Sequence, residues 1–442
     1  MGEPARLYLH CVSALPSLNG LGEAIPGFGL YPERALVMAA AGDLVCVPAP
    51  VDPSYLAFLN ELGAGPSAGN VLVPAPNGDS PGTLAGAAQA DPALVARIAR
   101  RAPAGTALEL HPYAATPDVF DLAAALEAAG AAGVRVLAGS PGTSARADLK
   151  HVVRAKALEL GVPVAPGEVV ELPFPGGRRR RDLEPVRAAI QRQLPRTGQV
   201  LVRGSSGASG SATYVVGRGG DDAAGAIQRI SARNGNPAYL VEAMVDAALS
   251  PNLMLRIESD GGITLLGASD QRWGRPLVHA GNLFPSASRL LGPMEGWART
   301  LAAWLRDEGY VGDVGFDFVE YHDPATGEPR ALLAEVNPRV NGASYPLALR
   351  ERLNAGRREP GPAIAAFASG TLETPARDFA ELRDALGDLL FTQATGAGIV
   401  PYATGCLRHG RCAAVAFAAS RQEALERLAE AKAAMEAPWI AP

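Results

Sequence analysis

Two runs near the three-quarter point of the chain carry oxygen-bearing side chains at spacings that suit a hard cation. The first is Gly312-Asp313-Val314-Gly315-Phe316-Asp317-Phe318-Val319-Glu320, and the second is Leu332-Leu333-Ala334-Glu335-Val336-Asn337-Pro338-Arg339. Both read as strands, and the turn-rich segment 323–328 between them predicts an antiparallel hairpin that brings Asp317 close to Glu335. Glu335 and Asn337 are two residues apart, so they face the same side of a strand. Carboxylate and amide oxygens grouped this way suit Mg²⁺ bound to phosphates. Arg339 continues the alternation and is placed to stabilise charge on a transferring phosphoryl group or acyl phosphate. Each residue alone is explained as a solvated acid or a turn starter. The apolar neighbours Leu332, Leu333 and Val336 favour the joint reading, because an uncompensated charge in such a strand is costly.

The elements that must hold this hairpin can be traced from the N-terminus. The first third alternates short apolar runs with helix-like segments, as in an open, mostly parallel sheet. Strands are expected at Leu7–Val12, Leu44–Pro48, Val71–Pro74, Ala107–Leu110 and Val134–Ala138. Helices are expected at Pro53–Leu62, Asp91–Arg101 and Asp118–Ala129, each opened by Asp or Pro. After the first strand, Asn19-Gly20-Leu21-Gly22 and Pro26-Gly27-Phe28-Gly29 form a glycine-rich stretch whose spacing does not match a dinucleotide fingerprint. A helix over Asp148–Leu160 ends at Gly161. A compact α+β module follows, with strands at Gln199–Arg203, Thr213–Val216 and Tyr239–Val245 around a helix at Asp221–Arg233. It reads as a lid. A longer α+β unit carries strands at Leu253–Glu258, Ile263–Ser269, Gly315–Tyr321 and Ala331–Val336, and a helix at Pro293–Glu308. The tail contains Val400-Pro401-Tyr402-Ala403-Thr404-Gly405, a strand at Ala413–Ala418 and an amphipathic helix at Arg421–Ala437. The units expected are therefore 1–145, 146–198, 199–246, 247–358 and 359–442.

Composition bounds the function classes. At 442 residues and 48% hydrophobic, the chain is long enough to bury a large core and to form about three structural units. No signal-like N-terminus or long uninterrupted apolar run points to a membrane, so a cytoplasmic protein is expected. The four cysteines show no CxxC spacing, which argues against a zinc knuckle or a disulfide framework. A net charge of −5 argues against nucleic acid as a partner, and the basic run Arg178–Arg181 reads as a solvated turn. Lysine occurs only at Lys150, Lys156 and Lys432, so each merits attention where arginine otherwise supplies positive charge.

Phe316-Asp317-Phe318 followed by Leu333-Ala334-Glu335-Val336-Asn337-Pro338-Arg339-Val340-Asn341-Gly342 resembles the metal-binding signature of the ATP-grasp superfamily, which holds ATP between two α+β units. Lys150, eleven residues before Gly161, sits where that family places its first phosphate-binding lysine. Val200-Leu201-Val202-Arg203-Gly204-Ser205-Ser206-Gly207-Ala208-Ser209-Gly210-Ser211 is similar to its lid strand and glycine-rich loop, with Arg203 standing where the family has lysine. Tyr239-Leu240-Val241-Glu242-Ala243-Met244-Val245-Asp246 resembles the strand that receives adenine. The glycine-rich N-terminal unit and the tail around Tyr402, Thr404 and Gly405 look like the pheganomycin-type peptide ligases, a branch that implies antibiotic biosynthesis.

What the resemblance implies is an α/β and α+β chain. It has the ATP-grasp fold, an N-terminal open-sheet pre-ATP-grasp domain and a small C-terminal extension. The implied cofactors are ATP and Mg²⁺. Asp317, Glu335 and Asn337 hold the metal, and Lys150, Arg203, Ser205, Ser206 and Gly207 meet the phosphates. Glu242, Ala243, Met244 and Val245 meet the adenine edge, with Asp246 at the ribose. Arg339 steadies an acyl phosphate, and Arg256 meets the substrate carboxylate. The implied reaction activates a small carboxylate, such as a nonproteinogenic amino acid, and joins it to the amino terminus of a peptide with release of ADP and phosphate. A dipeptide-forming ligase and a small-molecule kinase are the alternatives, and a homodimer is compatible with such folds.

Overall fold

The computed structural model describes residues 4–15, 25–75, 83–102, 106–173, 182–207, 212–232, 235–275, 278–356 and 363–436. Arg178–Arg181, the end of the glycine loop at 208–211 and the glycines at 20 and 22 lie outside the described residues.

The first unit is the open parallel sheet that its alternating pattern predicts. Strands β1 (Ala5–Leu9), β2 (Leu44–Cys46), β3 (Val71–Leu72), β4 (Leu108–Pro112) and β5 (Val134–Val136) lie in the order β3-β2-β1-β4-β5, all parallel. Helices between them begin where caps are encoded. Asp52 accepts from the Ser54 amide at 2.9 Å, and Asp91 accepts from the Leu94 amide at 3.0 Å, each ahead of a proline in the first turn. Leu7, Leu72, Leu108 and Leu110 pack under Leu94, Ile98, Leu122 and Leu126 on one face.

The second sheet joins β6 (Gly167–Glu171), β7 (Gln199–Gly204), β8 (Thr213–Gly217) and β9 (Ala238–Ala243) in the antiparallel order β6-β9-β7-β8. Helices Glu184–Thr197 and Ala223–Ala232 cover it through Val186, Ile190, Ile227 and Ile230.

The third sheet is the largest. It contains β10 (Ala247–Leu249), β11 (Pro251–Ile257), β12 (Ile263–Arg275), β13 (Val278–Phe284), β14 (Gly312–His322), β15 (Pro329–Asn337), β16 (Ala366–Glu373), β17 (Gly398–Tyr402) and β18 (Arg411–Ala418). Its order is β10-β14-β11-β12-β13-β16-β18-β17, with β15 paired to β14. Helix Leu291–Asp307 lays Met294, Ala298, Leu301 and Leu305 across Leu253, Leu255, Phe316 and Phe318. The described residues 363–436 are thus continuous with the central sheet, since β16 pairs with β13. The second face of the first sheet also belongs to this core, where Tyr8, Val45 and Val47 cluster with Tyr345, Leu349, Phe367 and Phe417.

Two expectations are corrected here. The helix expected from Asp148 starts at Lys150, because a separate short helix, Pro141–Ala147, is capped by Ser140 and ended at Asp148, and Leu149 is extended. The strand expected to end at Ser269 runs to Arg275, where Asp270, Gln271 and Arg272 dilute the apolar alternation. No helix among the described residues is long and apolar enough to cross a membrane.

Candidate active site

The hairpin of β14 and β15 sets Asp317 directly opposite Glu335 and Gly315 opposite Asn337. The Asn337 amide donates from Nδ2 to Asp317 Oδ2 at 2.9 Å. From the neighbouring strand β11, Asn252 faces Asp317 in register and donates from Nδ2 to Oδ1 at 2.5 Å. Close packing beside this cluster needs a residue without a side chain at 315. A Cβ there would lie 2.3 Å from Asn341 Nδ2 and 3.0 Å from Met254 Sδ.

Electrostatics divide the two acids. Burial works to raise the Glu335 carboxyl, but Lys150 overrides it with help from Arg339 and Arg203, so the group is held below the usual carboxylate range. Among the described residues no cation is hydrogen-bonded to Asp317. Burial, and then the charge of Glu335, push it up to about 7, although Asn252, Asn337 and the more distant Arg339 charge pull the other way. The Asn252 amide oxygen is buried beside it with no hydrogen-bond partner. A carboxyl disfavoured in its charged form next to a second carboxylate and an orphaned amide oxygen is a set of hard donors short of one positive charge. These residues therefore fit a divalent cation bound by oxygen. Among the described residues no group of three or more His, Cys, Asp or Glu stands close enough for a metal, so asparagine must complete any ligand set here.

The cations around this centre are placed by three elements. Lys150, the first residue of helix Lys150–Glu159, donates to Glu335 Oε1 at 3.0 Å and to the Gly207 carbonyl at 2.8 Å. Its own amide donates to the Ser205 carbonyl at 3.0 Å, so the helix start and the loop after β7 are stitched together. Ser205 Oγ lies 2.5 Å from His151 Nδ1, and the Ser206 amide donates to Asn236 Oδ1 at 2.5 Å. Arg339 is buried and donates from Nη1 to Asp148 Oδ1 at 2.6 Å, while its Nε has no partner.

Arg203 and Glu242 take a different form from that expected. Arg203 donates to Glu242 Oε2 from Nε (2.9 Å) and Nη2 (2.6 Å), and to the Ala334 carbonyl from Nη1 (2.7 Å). Glu242 also accepts from Arg154 Nη1 at 2.6 Å. One buried carboxylate thus holds helix Lys150–Glu159, β7 and β9 together, and most of the Arg203 donors are engaged before any ligand arrives. The amides of Ala243 and Met244 are likewise occupied, by the carbonyls of Pro166 (2.7 Å) and Gln199 (3.4 Å). Asp246 is exposed beyond the strand end.

Arg256 is the clear departure. It shares a face of β11 with Asn252, but pairs with Asp313, with Nε to Oδ1 at 2.6 Å and Nη2 to Oδ2 at 3.1 Å. Asp313 is also 3.5 Å from His111 Nε2, His111 Nδ1 is 3.1 Å from His10 Nε2, and His10 Nδ1 is 3.1 Å from the Tyr345 hydroxyl. This buried chain joins the first sheet to the third. Arg256 is therefore not brought to the Asp317 centre.

A cavity of about 280 Å³ opens over the centre, lined by Asp317, Glu335, Asn337, Arg339 and Arg203, with Asn252 and further walls from Tyr113, His279 and Asn282. Residues the sequence reading missed are Asn252, Asp148, Arg154, Tyr113 and His279. Arg154 had a legible signal, lying four residues from Lys150 on the same helix face. Asn252 had one too, as a polar residue sharing strand parity with Arg256.

Residues 32–128 match the family model described as the pre ATP-grasp domain. No curated protein matches the chain by sequence. Among solved structures, N5-carboxyaminoimidazole ribonucleotide synthetase from Thermus thermophilus is 15% identical with a TM-score of 0.54, covering 98% of this chain and 99% of that one. Carboxyaminoimidazole ribonucleotide synthase from Aspergillus clavatus, complexed with ATP, is 13% identical with a TM-score of 0.52 over 98% of both chains. Biotin carboxylase from Campylobacter jejuni is 13% identical with a TM-score of 0.55, over 97% of this chain and 91% of that one. The chain has the ATP-grasp fold, with a pre-ATP-grasp domain at its N-terminal side.

Proposed function

We propose that the protein is an ATP-dependent carboxylate-amine ligase. The observation that carries this reading is the convergence of Asp317, Glu335 and Asn337 in one cavity of an ATP-grasp fold, with Lys150 ion-paired to Glu335 behind it. ATP supplies the phosphoryl group. Mg²⁺, held by Asp317, Glu335 and Asn337, supplies the positive charge that its oxygens need.

Phosphoryl transfer asks mainly for positioning, charge neutralisation and exclusion of water. Lys150 now bridges Glu335 and the Gly207 carbonyl, and a nucleotide's phosphates offer its ammonium a stronger acceptor than that carbonyl. In the loop Ser205, Ser206 and Gly207, the amides of Ser205 and Ser206 are engaged by the Ala238 carbonyl and Asn236, so the Gly207 amide and the Ser206 hydroxyl are the groups left to meet phosphate. Arg339 has an unpartnered Nε and stands where an acyl phosphate would form. In this reading a substrate carboxylate is phosphorylated to an acyl phosphate, and an amine then attacks it to give an amide and phosphate. The adenine edge falls to the carbonyls of the Glu242–Val245 stretch and the Val245 amide, since the amides of Ala243 and Met244 are engaged. Asp246, exposed at the strand end, is the ribose partner, and Arg203 reaches phosphate only with its remaining donors.

The finer reading is a peptide ligase that joins a small, nonproteinogenic acid to a peptide amino terminus. It rests on the resemblance of the N-terminal unit and the tail to that branch. The test is turnover. A panel of carboxylates and peptides with ATP and Mg²⁺ should yield ADP, phosphate and an amide product that needs both organic substrates. AMP with pyrophosphate, or a stable phosphorylated product without an amide, overturns it.

A further inference from the structure

The tail around Tyr402, Thr404 and Gly405 folds back onto the N-terminal segment Phe28–Val37, a 3-10 helix. Glu33 is buried there and accepts from the Thr404 hydroxyl at 2.8 Å and from the Gly405 amide at 3.0 and 2.9 Å. A Cβ at 405 would crowd Glu33 Oε2, so a larger residue there would have to displace the Glu33 carboxylate from the tail. This contact takes the one acid next to Arg34 in sequence and commits it to the tail.

Arg34 is left among aromatic rings. Its guanidinium carbon lies 3.9 Å from the ring centroid of Tyr31 and 5.9 Å from that of Tyr345, and Tyr402 and Tyr113 stand within its electrostatic field. Its Nε is buried with no hydrogen-bond partner, and among the described residues no carboxylate is paired with it. Arginine keeps its charge at neutral pH, whereas the tyrosines that surround it are neutral phenols and donate no counter-charge. A cation–π contact is a weak substitute for an anion at a desolvated guanidinium. The site therefore lacks one negative charge.

Its position says what brings that charge. Tyr113 lines the main cavity and stands near both Arg339 and Arg34. His279 lines the same cavity, and burial together with the Arg34 charge holds it below its ordinary value. Tyr345, whose ring stands 5.9 Å from Arg34, follows Gly342 and Ala343, which line the cavity beside Tyr113 and His279, so Arg34 lies behind that wall, while Arg339 and Asp317 line the phosphoryl-transfer end. We propose that Arg34 anchors the free carboxylate of the amine substrate, an amino acid or short peptide, inside an aromatic collar built jointly by the N-terminal segment and the C-terminal tail. The identity of that substrate as the amine partner rests on the ligase reading. A single guanidinium matches the one charge of a carboxylate, whereas a phosphate dianion needs further donors.

The experiment uses the full chain without nucleotide, so it is independent of turnover. Amino acids and dipeptides, each as the free acid and as its C-terminal amide, are titrated by calorimetry into wild type, Arg34→Met and Arg34→Lys, with inorganic phosphate as a further ligand. Wild type should prefer at least one acid over its amide by about tenfold or more, Arg34→Met should erase the preference, and Arg34→Lys should keep part of it. The unliganded Arg34→Met protein should melt no lower than wild type, since it loses an uncompensated charge. Equal binding of acids and amides by wild type, a preference that survives Arg34→Met, phosphate bound ahead of every acid, or a lowered melting temperature in Arg34→Met each overturns the proposal. Binding of ADP with Mg²⁺ is measured in parallel. Its failure alongside an intact acid preference removes the ligase reading and leaves the Arg34 site standing.

Discussion

At the scale of single residues, the centre is a matter of which charges have partners. Lys150 answers Glu335, Asp148 answers Arg339, and Asp317 is hydrogen-bonded by two amides, with the Arg339 charge acting on it at longer range. Substituting Lys150 by Met should remove the main cation facing Glu335 and cost about 3–5 kcal/mol in metal-free denaturant unfolding. Asp317→Asn and Glu335→Gln should each lower ATP turnover by about 10²–10³-fold if they position charge at the transferring phosphoryl group, which steady-state ADP release checks. The hairpin partners were legible because strand parity and one turn fix them. Arg256 shares the face of Asn252 on β11, but four residues along a strand is roughly 13 Å, which keeps it from the Asp317 centre that the family resemblance implies for it. Its actual partner makes a separate prediction. Burial works to raise the Asp313 carboxyl, but Arg256 and then His111 together outweigh it and hold the group below its ordinary value of 3.8. A carboxyl with a depressed folded pKa stabilises the fold fully above its unfolded value, and that contribution is lost as pH falls below about 4. Acid unfolding should therefore be less steep with pH in Asp313→Asn, and Arg256→Met should lose about 3–5 kcal/mol at neutral pH.

At the scale of elements, the four-stranded sheet β6-β9-β7-β8 is tied to the helix that carries Lys150 through the Glu242 carboxylate. Glu242 bridges Arg154 and Arg203 from inside the core, so Glu242→Gln leaves two guanidinium groups short of charge and should destabilise by about 3–5 kcal/mol in urea unfolding. The sequence shows Glu242 as an acid in an apolar strand, a signal that the charge must be paired, but the partners come from 88 and 39 residues away. Most strands and helices were readable from periodicity and caps. Strand Val278–Phe284 was not, because His279, Gly281 and Asn282 interrupt its apolar run. Those polar residues face the cavity or its edge, so the element was hidden by the site that it helps to build.

At the scale of the whole molecule, the N-terminal segment Phe28–Val37 meets the tail segment Thr404–His409. The open parallel sheet was predictable from its alternation with helices. What local pattern could not show is that its second face shares a core with β16–β18, because pairing between distant strands leaves no trace in spacing. Phe367 and Phe417 sit in that shared core fully buried, and Phe417→Ala should cost about 3–5 kcal/mol. Above this frame, the central claim is that Asp317, Glu335 and Asn337 gather one magnesium ion under the phosphates of a nucleotide. Calorimetric titration of ADP with and without Mg²⁺, on wild type and on Glu335→Gln, tests it most directly. The metal should tighten ADP binding to wild type by about tenfold or more, and that gain should vanish in the variant. An equal gain from Mg²⁺ in both proteins would contradict the account.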